Sequence, residues 1–192
     1  KDGKGRFRYD GVERAFETLA EIVEYGRKKY GDFAPELFIL DGSTDFMFDL
    51  KVWLDDYMEF LEQEEEQEQL EKVCRKLLKL FAWEKASPSD IRFRLASSML
   101  SLNKKKEAGD FCERWYGEDE NDPAAAAALI YAWIADRRYK DAQKVVDFWM
   151  DKEGGYTEEN AEVFGAAAVL QNVFPGNGKD IQVQYCSSCN KL

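Results

Sequence analysis

The chain of 192 residues contains no histidine. That absence removes Ser-His and Cys-His nucleophile systems, His-ligated metal sites and imidazole acid–base work together. Basic residues are in deficit, 27 Lys plus Arg against 38 Asp plus Glu, and the net charge of −11 repels phosphate backbones unless a basic patch is segregated on one face. Nucleic acid is not an expected partner. The four cysteines are Cys74 and Cys112, inside helical patterns, and Cys186 and Cys189 near the end. They are too sparse for a secreted disulfide framework, so a reducing cytoplasm is the expected location. No apolar run approaches the roughly 18 residues that span a membrane, and no basic-then-apolar leader is present, so a soluble segment without a membrane partner is expected. Gly-rich phosphate loops, strand-turn-nucleophile patterns and paired carboxylates set for acid–base work are also missing, and the reading is of a protein that is not an enzyme. The first residue is Lys1, so a targeting signal upstream would not be visible.

What is present is apolar and aromatic: 45% hydrophobic residues, 14% aromatics and five Trp, far from the composition of disorder. Val12, Phe16, Leu19, Val23 and Tyr30 mark an amphipathic helix over 12–30, with Asp10 as a candidate cap. Gly31 and Pro35 break it. The run Asp41-Gly42-Ser43-Thr44 carries turn chemistry, and a second helix is expected from about Asp45, its buried face formed by Phe46, Leu50, Trp53, Leu54, Tyr57 and Leu61 and widened by Met47, Met58 and Phe60. After the polar run 62–69, Leu70, Val73, Cys74, Leu77, Leu78 and Phe81 form a third stripe, closed by Ser87-Pro88.

Segment 89–122 lays over segment 123–156 without a gap at a spacing of 34. Leu95 falls on Leu129, Lys106 on Lys140, Ala108 on Ala142 and Trp115 on Trp149. Phe111, Cys112 and Tyr116 meet Val145, Val146 and Met150. Each segment reads as two antiparallel helices joined by a tight turn, at 103–105 or 137–139. Such a hairpin cannot bury both faces alone, and stacking copies solves that problem. Carried backward, the same period sets Cys74, Leu78 and Phe81 on Ala108, Cys112 and Trp115. The charged stretch 62–69 then makes the hairpin over 45–88 longer and irregular. Carried forward, it leaves one capping helix over 157–174 with Thr157 as its cap, because Pro175, Gly176 and Gly178 forbid another. Ile181 to Tyr185 alternates like a short strand.

A helix-turn-helix period of 34 with Ala108 and Ala142, an aromatic at Tyr139 and Pro at the unit boundary resembles the tetratricopeptide repeat family, in a degenerate form of the kind common in bacterial proteins. The resemblance covers 89–156 well and 45–88 and 157–174 loosely. It implies an all-α fold over 1–180, a right-handed α-solenoid of stacked antiparallel helical hairpins, with a short non-helical tail over 181–192. It also implies a scaffold or adaptor that binds a peptide or partner protein through its concave surface. The family's small first-helix residue stands at Ala96 but becomes Ile130 and Phe164, and its second-helix small residue becomes Trp115 and Trp149. The positions of the family's carboxylate clamp fall on Phe93, Ser97, Ala127 and Tyr131, which lack that chemistry. The groove expected instead is apolar, formed by Phe93, Ser97, Leu100, Ala127, Tyr131 and Ile134 and continued by Ala161 and Gly165.

Two further patterns carry chemistry. Lys72, Lys106 and Lys140 recur at the repeat spacing and, with Lys104, Lys105, Arg137 and Arg138 at the turns, form a candidate basic ridge for an acidic partner. Lysine at exposed turns also serves solubility. Cys186 and Cys189 have the spacing of half a zinc knuckle, whose missing thiolates would come from a second copy in a homodimer or from outside these residues. The alternative function is therefore a regulatory or dimerisation part of a larger metalloprotein or enzyme, and the bland reading of the pair is a tail with two free thiols.

Overall fold

The computed structural model describes residues 4–43, 45–153 and 156–175. Among them the secondary structure is entirely helical: α1 (Lys4–Tyr30), α2 (Leu37–Ser43), α3 (Leu50–Gln63), α4 (Gln67–Leu80), α5 (Ser89–Ser101), α6 (Lys105–Glu118), α7 (Pro123–Ala135), α8 (Tyr139–Glu153) and α9 (Ala161–Val173). The chain divides into two compact units, Lys1–Ser98 and Met99–Leu192, the boundary falling within α5.

In the first unit α3 packs on α2 and α4, and α4 on α1. Phe16, Ala20 and Val23 of α1 are buried, as are Leu54, Met58 and Leu61 of α3 and Leu70, Val73, Cys74 and Leu77 of α4, each set at the three- and four-residue spacing of one helical face. α1 begins at Lys4, earlier than the expected start at 12, and Asp10 lies within it. The segment after α1 is held by backbone capture. The Arg27 guanidinium donates to the carbonyls of Phe33 (3.2 Å) and Ala34 (2.8 Å), and the buried Glu36 accepts the Glu84 N–H at 2.8 Å. The Phe33 ring lies so close to Gly26 that a Cβ there would stand 2.3 Å from it.

The helix expected from Asp45 does not form there. Residues 37–43 are themselves the short helix α2, and Asp45 and Phe46 then take left-handed backbone conformations (φ 50° and 56°) that end helical propagation. The chain re-enters a helix at Leu50, where two carboxylates receive the free N–H groups: Asp49 from Val52 (2.9 Å) and Asp41 from Leu50 (2.7 Å). Phe46 and Met47, expected on the buried face, are 73% and 77% exposed.

In the second unit α7 is central, packing against α6, α8 and α9. It is apolar around most of its circumference, with Ala125 to Ile130 and Ala132 all buried. The short alanine side chains allow neighbouring helices to approach on more than one side. Asp122 caps it by accepting from Ala124 (2.9 Å) and Ala125 (3.3 Å), with Pro123 in the first turn. Trp115 and Trp149 are each only 3% exposed. Ahead of α9, Thr157 Oγ1 accepts the Asn160 N–H at 3.3 Å and Asn160 Oδ1 accepts the Thr157 N–H at 2.7 Å, a reciprocal cap set one turn before the helix proper.

One turn recurs at α3–α4, α5–α6 and α7–α8. Its left-handed residue is Glu65, Asn103 or Arg137 (φ 59°, 59° and 61°). The following N–H reaches back to Leu61, Met99 or Trp133 (2.9, 2.8 and 2.8 Å), and the left-handed residue's own N–H reaches Glu62, Leu100 or Ile134 (3.1, 2.9 and 3.0 Å). These are the paired bonds of a Schellman C-cap, and the next helix starts two residues after the left-handed residue each time. The expected extra length of the first hairpin is present, while the charged stretch 62–69 does not interrupt its turn. The charged stretch holds the same turn as the later segments, and the extra length lies in the linker 81–88, against 119–122 in the next interval. Aligned on the turns, Leu70, Cys74 and Leu77 correspond to Ala108, Cys112 and Trp115, and all six are buried.

Candidate functional site

Of the groove residues expected from the sequence, Phe93 and Ser97 belong to the first unit, and Leu100, Ala127, Tyr131 and Ile134 to the second. Phe93 is half-buried and Ser97 exposed. In the second unit Leu100, Tyr131 and Ile134 are partly exposed, whereas Ala127 has no exposed surface and so lines no open trough. Tyr131 reaches toward α9, its hydroxyl 3.7 Å from where a Cβ on Gly165 would stand. Burial, reinforced by the carboxylate of Glu162, pushes that hydroxyl's pKa up, so it remains a neutral donor at ordinary pH.

The basic candidates separate in the turn register. The first-unit counterpart of Lys106 is Glu68, because the linker difference shifts the numbering, and Lys72 falls four residues further along α4. Lys106 and Lys140 are exposed, Lys106 only 3.5 Å from Asp110. Arg137 is exposed at its turn. Arg138 is engaged: its guanidinium pairs with Glu113 and Asp141 (3.2 Å to the latter) and lies 4.6 Å over the Trp133 ring, whose N–H also donates to Glu113 at 2.9 Å. Hydrogen bonds from Lys144 and Arg138 hold the Asp141 carboxyl below its usual range. Arg138 thus ties α6 to the α7–α8 turn.

Cys186 and Cys189 lie outside the described residues, as does the expected strand over 181–185. Among the described residues no group of His, Cys, Asp or Glu side chains is placed to hold a metal ion. Cys74 and Cys112 are buried free thiols, each pushed up to about 12, chiefly by loss of solvation.

The sequence reading missed a concave site in the first unit. Trp53, Asp56, Tyr57 and Phe60 of α3, with Val12 of α1, line a cavity of about 340 Å³. The four α3 residues stand at i, i+3, i+4 and i+7, one face of the helix. The Trp53 and Tyr57 rings stack with centroids 6.3 Å apart and 18° between planes, and the Phe16 ring of α1 closes on Tyr57 at 6.0 Å. In the turn register these α3 positions correspond to Ala125, Ala128, Leu129 and Ala132 of α7, all buried. The legible signal was that substitution of large rings and one carboxylate for small residues.

No family model, no curated protein and no solved structure matches the chain.

Proposed function

We propose that this all-helical chain is a tetratricopeptide-like repeat scaffold, a right-handed solenoid that binds a peptide or partner protein and performs no catalysis itself. The observation that carries the reading is the single turn that recurs at Glu65, Asn103 and Arg137 with the same pair of hydrogen bonds. The last two are separated by 34 residues. Buried Ala108 and Trp115 recur as buried Ala142 and Trp149 at the same interval. Equal hairpins that share a core register are the units from which stacked arrays are built, and arrays of this kind work by presenting extended surface rather than a closed pocket. The absence of histidine from the whole sequence restricts acid–base and nucleophilic chemistry, which favours binding. No helix of the described residues is long and apolar enough to cross a membrane.

The proposed contact residues are Phe93 and Ser97 in the first unit and Leu100, Tyr131 and Ile134 in the second, each partly exposed or exposed. A displayed random-peptide library panned on the 192-residue chain tests the reading. Enrichment of a common motif is expected, with binding lost in the double variant Phe93→Ala, Tyr131→Ala at unchanged melting temperature. A library that yields no motif, or binding indifferent to the double variant, overturns it. A melting temperature lowered by many degrees returns both residues to the core.

A further inference from the structure

The cavity between α1 and α3 has walls and charge of a particular kind. Among the described residues, three aromatic side chains, Trp53, Tyr57 and Phe60, and the aliphatic Val12 form the walls, and the one charged group that lines the cavity is the Asp56 carboxylate. Asp56 is exposed and has no ion-pair partner among the described residues, whereas its neighbour Asp55 is already engaged by Lys51 at 2.8 Å. From α1, Glu13 and Glu17 add negative field at Tyr57. Aromatic faces are themselves negative, so rings and carboxylates favour the same sign of guest.

We propose that this cavity binds the long alkylammonium side chain of a lysine presented by a partner polypeptide. The polypeptide source rests on the scaffold reading above; the ammonium chemistry does not. A lysine has an apolar four-carbon stem that lies against Val12 and the rings, and a compact cation that reaches the carboxylate at an exposed position. An anion would meet Asp56 unfavourably, and a purely apolar guest would leave the carboxylate without a partner of opposite charge. The volume, about 340 Å³, is at the lower end of ligand cavities and suits one side chain rather than a large cofactor. The cavity exists because the α3 face that corresponds to the close-packed alanine face of α7 carries bulky rings, while α1 makes its main helix contact with α4.

The test is calorimetric titration of the full chain with three probes: Ac-Gly-Gly-Lys-Gly-Gly-NH2, the same peptide with norleucine in place of lysine, and n-butylammonium. Binding of the lysine peptide is expected, weakening with added salt, and the norleucine peptide is expected to bind about tenfold more weakly. Asp56→Asn, at an exposed position, should reduce the lysine peptide to the norleucine level with an unchanged melting temperature. Trp53→Phe should retain binding that Trp53→Ala loses. Equal affinity for the lysine and norleucine peptides, or no effect of Asp56→Asn, overturns the proposal. Butylammonium binding as tightly as the lysine peptide overturns the polypeptide source in favour of a free amine. Library binding that survives Asp56→Asn but not the Phe93, Tyr131 double variant sinks this inference and leaves the scaffold reading standing.

Discussion

The two units use one turn and fill their helices differently. In the second unit α7 presents Ala125, Ala128, Leu129 and Ala132 on a face that is wholly buried. In the first, the same register on α3 carries Trp53, Asp56, Tyr57 and Phe60 around a cavity. Small residues let helices approach, and large ones hold them apart unless the partner is shaped to receive them. A shared backbone scheme therefore yields a solid core in one place and a concave site in another, with side-chain volume as the deciding variable.

The strongest way to break this comparison is to truncate a tryptophan in each unit. Trp149→Ala removes a side chain that is only 3% exposed, and should cost about 3–5 kcal/mol. Trp53→Ala enlarges a cavity already open to solvent and should cost about 1 kcal/mol or less. Urea melts followed by circular dichroism decide it; equal losses would mean that the first-unit cavity is as tightly packed as the second-unit core.

Next in size is a test of what the units share. Cys74 and Cys112 occupy one turn-register position, and burial pushes both thiols up to about 12. The folded state then holds its protons more tightly than the unfolded chain. Stability is fully present below the unfolded thiol value near 9 and is lost as pH rises toward 12, by up to about 4 kcal/mol per thiol at roughly 1.4 kcal/mol per pKa unit. Below pH 8 neither thiol should react with an alkylating reagent until the protein unfolds. Rapid native labelling of one cysteine but not the other would show that the two hairpins are not equivalent.

Legibility followed the same division. The overlay of 89–122 on 123–156 was visible because Ala108 and Trp115 recur as Ala142 and Trp149 without insertion, and the structure buries all four. Carried backward at constant spacing, the period misaligned Cys74 with Ala108, since the longer linker 81–88 leaves no mark in an apolar stripe. Phe46 and Met47 fit a helical stripe by spacing alone; what excludes them is the left-handed backbone at Asp45 and Phe46, fixed by the capture of Leu50 and Val52 by Asp41 and Asp49. Of the α3 rings read as core, Tyr57 is buried at 2% exposure, whereas Trp53 and Phe60 are only partly buried. Periodicity reports which side chains share a face, and says nothing of whether the facing helix comes close enough to fill the space.

Glycines give a smaller effect of opposite sign in the two units. Gly26 faces the Phe33 ring, so Gly26→Ala must displace it and should destabilise by about 1–3 kcal/mol despite the better helix propensity of alanine. At Gly109 of α6 a Cβ meets nothing within 4 Å, and Gly109→Ala should stabilise by up to about 1 kcal/mol. The pair is checked by shifts in urea midpoint at constant slope.

The smallest expected effect bears on the turn itself. Glu65, Asn103 and Arg137 all hold left-handed backbone conformations, which cost an ordinary L-residue about 1–2 kcal/mol and asparagine less. Glycine removes that strain but adds freedom to the unfolded chain, worth about 0.4–1 kcal/mol against it. The balance predicts that Glu65→Gly and Arg137→Gly each stabilise by roughly 0.5–1 kcal/mol, whereas Asn103→Gly is close to neutral. Glu65 and Arg137 are exposed, so little side-chain packing is lost in either variant. Because the two lie in different units, matched gains would show that one backbone device closes both hairpins. A destabilising Glu65→Gly beside a stabilising Arg137→Gly would mean that the charged stretch 62–69 holds its turn by other means, and the shared register of the two units would lose its basis.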